Sequence, residues 1–357
     1  MTFMSRKKAI NFLVVGQGIA GTTLAHKLYD SGNTVHLIDN KHQSSSSLIA
    51  GGVIHPMSFK RVILSWKADS LIPAAKGYYD AFEARFRTKV FHELDMTRVF
   101  SSIEEQNNWQ GRMADAPMKD IIGDEELSLD FSFGSGKVNM AGRLDVALYL
   151  SRSKEFFKEK EIISEEQFDY SQLMVSDGGV NYKEIEAENI IFCEGFKINE
   201  NPYFNYIPLS PTKGEILIIK TKDLPDCILS QGCFVMPIGN DKYVLGATYD
   251  RDNINQETTK LGKEQLIEKL EAIGNFDFEI IEHRAGVRPT THDRRPILGA
   301  HPKYSNMYIF NGLGSKGVML APHFAEELVQ YITKGVQLNS EVRVSRYSKK
   351  HLYKCLI

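Results

Sequence analysis

Residues 12–39 read FLVVGQGIAGTTLAHKLYDSGNTVHLID. An apolar strand, a Gly16-x-Gly18-x-x-Gly21 turn, a helix opened by Ile19 and Ala20, and a second apolar strand follow one another and stop on Asp39. This is the order of a dinucleotide-binding βαβ unit. Gly16 permits the tight turn after the strand, Gly18 lets backbone N–H groups approach a pyrophosphate, and Gly21 lets helix and strand pack closely. The phosphates then sit at the helix N-terminus, where Ile19 and Ala20 lie. Asp39 comes 18 residues after Gly21, close to the spacing at which a carboxylate accepts hydrogen bonds from the adenosine ribose hydroxyls. Its charge favours an unphosphorylated ribose. A coincidental glycine-rich turn is the alternative, and the flanking strands and terminal acid weigh against it.

The unit alone does not separate NAD from FAD, since both carry adenosine and a pyrophosphate. It starts within a dozen residues of Met1, as it often does in FAD enzymes. The stretch from Ser44 through Ser45, Ser46, Ser47, Leu48, Ile49 and Ala50 to Gly51 and Gly52 is small, polar and then glycine-rich. It can run close along a cofactor, with Gly51 as the candidate contact; a surface loop is the bland alternative.

The 357 residues are 42% hydrophobic and 25% charged, enough for two domains with a sizeable core. With 43 basic against 45 acidic side chains, the formal charge of −2 gives no global electrostatic case for nucleic acid. Cys193, Cys227, Cys233 and Cys355 form no CxxC pair, so neither a zinc spacing nor a disulfide framework is read, and no metal is expected. Arg6, Lys7 and Lys8 before an apolar stretch imitate a signal peptide, but the glycine motif argues otherwise. No apolar run reaches the length of a membrane span. A soluble, cytoplasmic protein without a membrane partner is expected; its oligomeric state has no readable signature.

Periodicity predicts helix over much of 60–100, short strands and turns over 101–135, and a buried helix over 143–150. A hairpin turning at Asp177-Gly178-Gly179 leads to the strand Asn189–Cys193, which runs into Gly195, a place where the chain can pass a cofactor; a plain strand-to-loop turn is equally consistent. Residues 209–250 alternate strands and turns and indicate a second, mainly antiparallel sheet. Helical spacing returns over 261–273, glycine-rich turns from Ala285, a strand over 307–310 and a helix over about 318–332. The expected fold is α/β: a Rossmann-like nucleotide domain from 1–85, 138–205 and 286–357, and a sheet-bearing substrate domain from 86–137 and 206–285.

Two C-terminal stretches carry a resemblance. Residues 285–299, AGVRPTTHDRRPILG, and 311–322, NGLGSKGVMLAP, resemble the signature of the FAD-dependent D-amino acid oxidase and glycine oxidase superfamily. With the N-terminal motif they frame the whole chain. The nearest likeness is to the glycine-oxidase-like branch, which includes the oxidase domain of the bifunctional enzyme that builds 5-methylaminomethyl-2-thiouridine in tRNA. The resemblance implies FAD as cofactor and, as function, oxidation of the C–N bond of a glycine-like amine or amino acid by hydride transfer to flavin N5.

Arg288 falls on the signature arginine that anchors the substrate carboxylate in relatives, and a guanidinium suits that task by its bidentate fork. A structural salt bridge to an acid such as Asp293 is the alternative. Gly312, Gly314, Ser315 and Gly317 precede the last helix, whose N-terminus, with Lys316, would stabilise negative charge on reduced flavin; a solvated lysine is the alternative. Some relatives carry arginine where this chain has Ser315. His55 and Tyr249 are weaker candidates, and His283 and His292 show no metal spacing with nearby acids. Competing readings are oxidation of a carboxymethylaminomethyl group on a tRNA wobble uridine, with tRNA as partner, a dehydrogenase using an acceptor other than oxygen, and a non-catalytic flavin-binding redox protein.

Overall fold

The structure, a computed structural model, describes residues 8–40, 46–124, 129 and 131–347. Arg6, Lys7, Ser44, Ser45 and Cys355 lie outside the described residues. The chain divides into two compact units.

Unit 1 comprises Met1–Leu48, Ala147–Pro211 and Arg288–Ile357. At the centre of its sheet the strand Lys8–Val15 pairs in parallel with Val35–Ile38 on one side and Ile185–Phe192 on the other. Ile163–Ser164 extends the sheet in parallel beyond Val35–Ile38. The far edge of Ile185–Phe192 is shared: its first half pairs antiparallel with Gly179–Tyr182, its last three residues pair in parallel with Met307–Asn311. The apolar runs are long because both faces of such a sheet are covered; Leu13, Val14, Ile190 and Ile191 are wholly buried. The register sets Val15 beside Ile38 and Phe192, and Phe192 beside Ile309. With Ser164 beside Ile38, five parallel strands therefore end at one edge of the sheet, where ligands of open α/β sheets bind.

Unit 2 comprises Ile49–Val146 and Thr212–Val287. Its eight-stranded sheet is mainly antiparallel: Thr212–Lys220, Lys242–Gly246, Phe234–Gly239 and Ile228–Ser230 follow one another as antiparallel neighbours. One parallel pairing, Ile228–Ser230 with Met96–Val99, joins them to the antiparallel strands Ser135–Val138 and Ile122–Asp124. Two cores cover this sheet, one around Trp109, Met96 and Ile228, the other around Leu217, Leu245 and Leu266.

Several expectations are corrected. The segment 49–85, expected in the nucleotide domain, packs within unit 2, as do residues 138–146, because Val53–Ile54 and Gly142–Leu144 pair there in a small sheet with Phe91–Glu93. Helix in 60–100 is confined to Ala68–Phe86, after a short 3₁₀ turn at Phe59–Arg61. The stretch 101–135 contains a real helix, Ile103–Met113, whose start is fixed by Ser102 Oγ accepting the Glu105 N–H at 3.2 Å, the Ser-x-x-Glu signal of a capped helix. The helix expected from Arg143 begins at Val146, since Gly142–Leu144 is extended. Residues 285–288 are the end of the strand Glu279–Arg288, not a turn.

Candidate cofactor site

Gly16 stands directly after the central strand with φ +101°, and a Cβ there would lie 2.6 Å from the Cys193 carbonyl oxygen. Both sides of the turn are pinned: Gly16 N–H donates to Ile38 O and Cys193 N–H donates to Val15 O, each at 2.8 Å. Gln17 N–H donates to Asp39 Oδ1 at 2.9 Å, and its buried side-chain amide donates to Leu150 O at 3.0 Å. Asp39 thus sits at the turn itself. A Cβ on Gly21 would fall 1.9 Å from Gly16 O, so the close packing read from the motif is physically enforced.

The helix Ile19–Asp30 starts on Gly18, which offers no side-chain cap. The Ile19 N–H donates instead to Ser47 Oγ at 3.0 Å, which brings the Ser46–Gly52 stretch to this terminus at its first residues. A second helix, Gly317–Lys334, starts against the first: a Cβ on Gly317 would lie 3.1 Å from Ile19 Cγ2. Two N-termini, each carrying roughly half a positive charge, converge where the parallel strands end. Glycines line the convergence, and the donor set of backbone amides fits an anionic pyrophosphate.

The turn into the second helix needs left-handed backbone at Gly312 (φ +73°) and Gly314 (φ +55°), which favours glycine. Gly314 N–H donates to Pro289 O at 3.2 Å, and Lys316 N–H donates to Leu313 O at 3.2 Å. Ser315 is exposed, whereas Lys316, the N-cap, is half-buried. Burial, with the guanidinium groups of Arg294 and Arg295 nearby, lowers the Lys316 pKa to about 8. Arg288 ends the strand Glu279–Arg288, is half-buried, and accepts the Thr290 N–H at its carbonyl, 2.9 Å. Asp293 is engaged by Arg346, Nε to Oδ2 3.0 Å.

Gly195 (φ +59°) follows Ile185–Phe192, and an added Cβ there would meet nothing within 4 Å. Beside it, Glu194 is hydrogen-bonded by the Tyr170 hydroxyl and by Asn201 Nδ2 at 2.7 Å. Burial pushes the Glu194 carboxyl up to about 7 against the lowering effect of these bonds. Glu194 and Asn311 stand inside stretches that the sequence reading singled out, beside Gly195 and Gly312, but neither was given a role there; Tyr170 and Asn201 were not singled out.

Unit 1 therefore gathers Gly16, Gly18, Ile19, Ala20, Gly21, Asp39, Gly195, Gly312, Gly314, Ser315, Lys316 and Gly317, with Arg288 the first residue of its last segment. Gly51 belongs to unit 2, where an added Cβ would meet Met236 and Val244 at 3.4 Å. His55, also in unit 2, accepts the Met57 N–H on Nδ1 at 3.3 Å and stacks on Phe59. Tyr249 is 54% exposed and carries Arg251 over its ring. His283 lies 2.8 Å from Glu215, beside the buried Lys213.

Residues 11–331 match the family described as DAO, FAD dependent oxidoreductase. Among curated relatives, glycine oxidase of Pseudomonas aeruginosa is 22% identical over 87% of this chain and 91% of its own length. The tRNA 5-methylaminomethyl-2-thiouridine biosynthesis bifunctional protein MnmC of Leptospira interrogans is 24% identical over 94% of this chain, which spans 59% of that longer protein. The crystal structure of iminodiacetate oxidase from Chelativorans superposes with a TM-score of 0.76 at 21% identity, covering 94% of this chain and 98% of the other, a likeness of fold. With nine-tenths of its length inside the family match and the glycine turns in place, the chain belongs to the DAO family of FAD-dependent oxidoreductases.

Proposed function

We propose that this oxidoreductase acts on an amine bearing a glycine unit, whether an amino acid, an N-substituted glycine or a larger molecule that carries one, and oxidises its C–N bond. The observation that carries this reading is the bond from Gly314 N–H to Pro289 O: it ties the residue next to Arg288 directly to the glycine turn that opens the helix Gly317–Lys334. A carboxylate-binding side chain and a helix N-terminus are thereby held in one loop system. The names of the similar glycine oxidase and iminodiacetate oxidase support the same substrate class.

FAD, when bound, supplies the two-electron acceptor for the hydride that leaves the substrate Cα. Arg288 orients that carbon by gripping the carboxylate in a bidentate fork. The amides at the start of Gly317–Lys334, with the Lys316 ammonium, provide positive potential where negative charge accumulates on reduction. The reacting amine is used in its neutral form, so no strong side-chain base is required.

Arg288→Ala tests the assignment. Loss of a charge-assisted carboxylate contact worth roughly 3 kcal/mol lowers kcat/KM by about 100-fold, chiefly through KM, with Arg288→Lys intermediate. Unchanged turnover and substrate binding would remove Arg288 from the site. A second reading rests on the similarity to the bifunctional tRNA enzyme along 94% of the chain: the substrate would then be a carboxymethylaminomethyl group on tRNA, which contains the same glycine unit. Reduction by modified tRNA but not by free amines would select it.

A further inference from the structure

Asn311 ends the strand Met307–Asn311 and is 2% exposed. Its Nδ2 donates to the Gly195 carbonyl at 2.9 Å, and its Oδ1 accepts the Gly312 N–H at 2.8 Å. The orientation of the amide is unambiguous, because a backbone N–H only donates and a carbonyl only accepts. Both partners are glycines in left-handed backbone, and each lies in the connection that follows one of two neighbouring parallel strands, Gly195 as the first residue of a short 3₁₀ helix. One buried side chain therefore links the Glu194–Gly195 loop to the turn that leads to Lys316. Gly195 has open space where a side chain would be, so side-chain packing does not fix it on that face; the 3₁₀ turn Gly195–Glu200 that it begins and the Asn311 amide do.

We propose that Asn311 is a positioning residue for the cofactor, setting the separation of the two glycine loops so that both address FAD at once. The inference rests on the FAD site described above. An aliphatic side chain of similar size would leave the half-buried Gly195 carbonyl and the buried Gly312 N–H without this partner, and an unmade hydrogen bond is costly where water is excluded. An aspartate keeps the acceptor for Gly312. It restores the donor to Gly195 only when protonated, and burial raises its pKa into an accessible range.

The test is the dissociation constant of FAD, followed by quenching of flavin fluorescence on the full chain between pH 5 and pH 8, with near-ultraviolet circular dichroism showing each protein folded. Asn311→Leu, which removes both bonds, binds FAD at least about ten-fold more weakly throughout. Asn311→Asp binds nearly as the unmodified chain at pH 5 and about ten-fold more weakly at pH 8, while the unmodified chain changes less. Equal affinities for all three proteins across the range would overturn the proposal, as would variants that melt earlier yet bind FAD unchanged, the mark of a purely structural role. Should Asn311→Leu fail to fold, the pH profile of Asn311→Asp decides alone. Failure of the unmodified chain to bind FAD would overturn the proposed function itself, and this inference with it.

Discussion

Lys316 is half-buried at the start of a helix, next to two guanidinium groups, and holds its proton only up to about pH 8. Its pKa is lowered, so the amine is cationic below that pH and neutral above it. If its charge assists reduction, the advantage of the unmodified chain over Lys316→Met is largest below pH 7, about ten-fold, and shrinks towards one above pH 9. The ratio of the two anaerobic reduction rates cancels the ionisation of the substrate amine. A ratio that does not change with pH would strip Lys316 of this role. The sequence marked Lys316 by its place among glycines, but its burial and its companions Arg294 and Arg295 emerge only when two separate turns come together. Asn311 and Glu194 stood beside glycines that were read, but their roles were not legible: each acts through a partner distant in sequence, Gly195 in one case and Tyr170 in the other, and no local pattern encodes such pairs.

At the scale of elements, the glycine positions differ sharply in what they tolerate. Gly21 in the helix Ile19–Asp30 has no room for a methyl group, with the Gly16 carbonyl 1.9 Å from the place it would occupy, whereas Gly77 in Ala68–Phe86 has nothing within 4 Å. Gly21→Ala is therefore expected to cost about 1–3 kcal/mol by overpacking and to weaken FAD binding. Gly77→Ala is expected to stabilise by about 0.5–1 kcal/mol and leave FAD binding alone. Thermal melting and FAD titration of the pair check this, and equal effects would contradict the packing argument. The βαβ unit was legible because its periodicity, glycine spacing and terminal acid all express the same local geometry. Ile103–Met113 was missed because its polar face hid the helical period, although Ser102 and Glu105 carried a capping signal. Ala285–Arg288 was read as a turn from its glycine, yet Gly286 lies in a buried strand end, where an added Cβ would press on the Ile49 side chain at 3.1 Å.

For the molecule as a whole, the order of segments was readable, while the boundary of the first unit was not. Residues 49–85 follow the nucleotide motif in sequence, but their strands find hydrogen-bonding partners in unit 2, and such pairing is invisible without the partner strand. Among the described residues no helix is long and apolar enough to cross a membrane. The proposed function turns on what this FAD-dependent oxidoreductase oxidises. Its most direct test is anaerobic: the FAD-loaded chain is titrated with glycine, sarcosine, iminodiacetate and D-alanine separately, and the flavin absorbance is followed. Bleaching by at least one amine that carries a free carboxylate is expected, lost or strongly slowed in Arg288→Ala. An FAD-loaded protein that none of these amines bleaches, nor tRNA bearing carboxymethylaminomethyluridine, would contradict the proposed function.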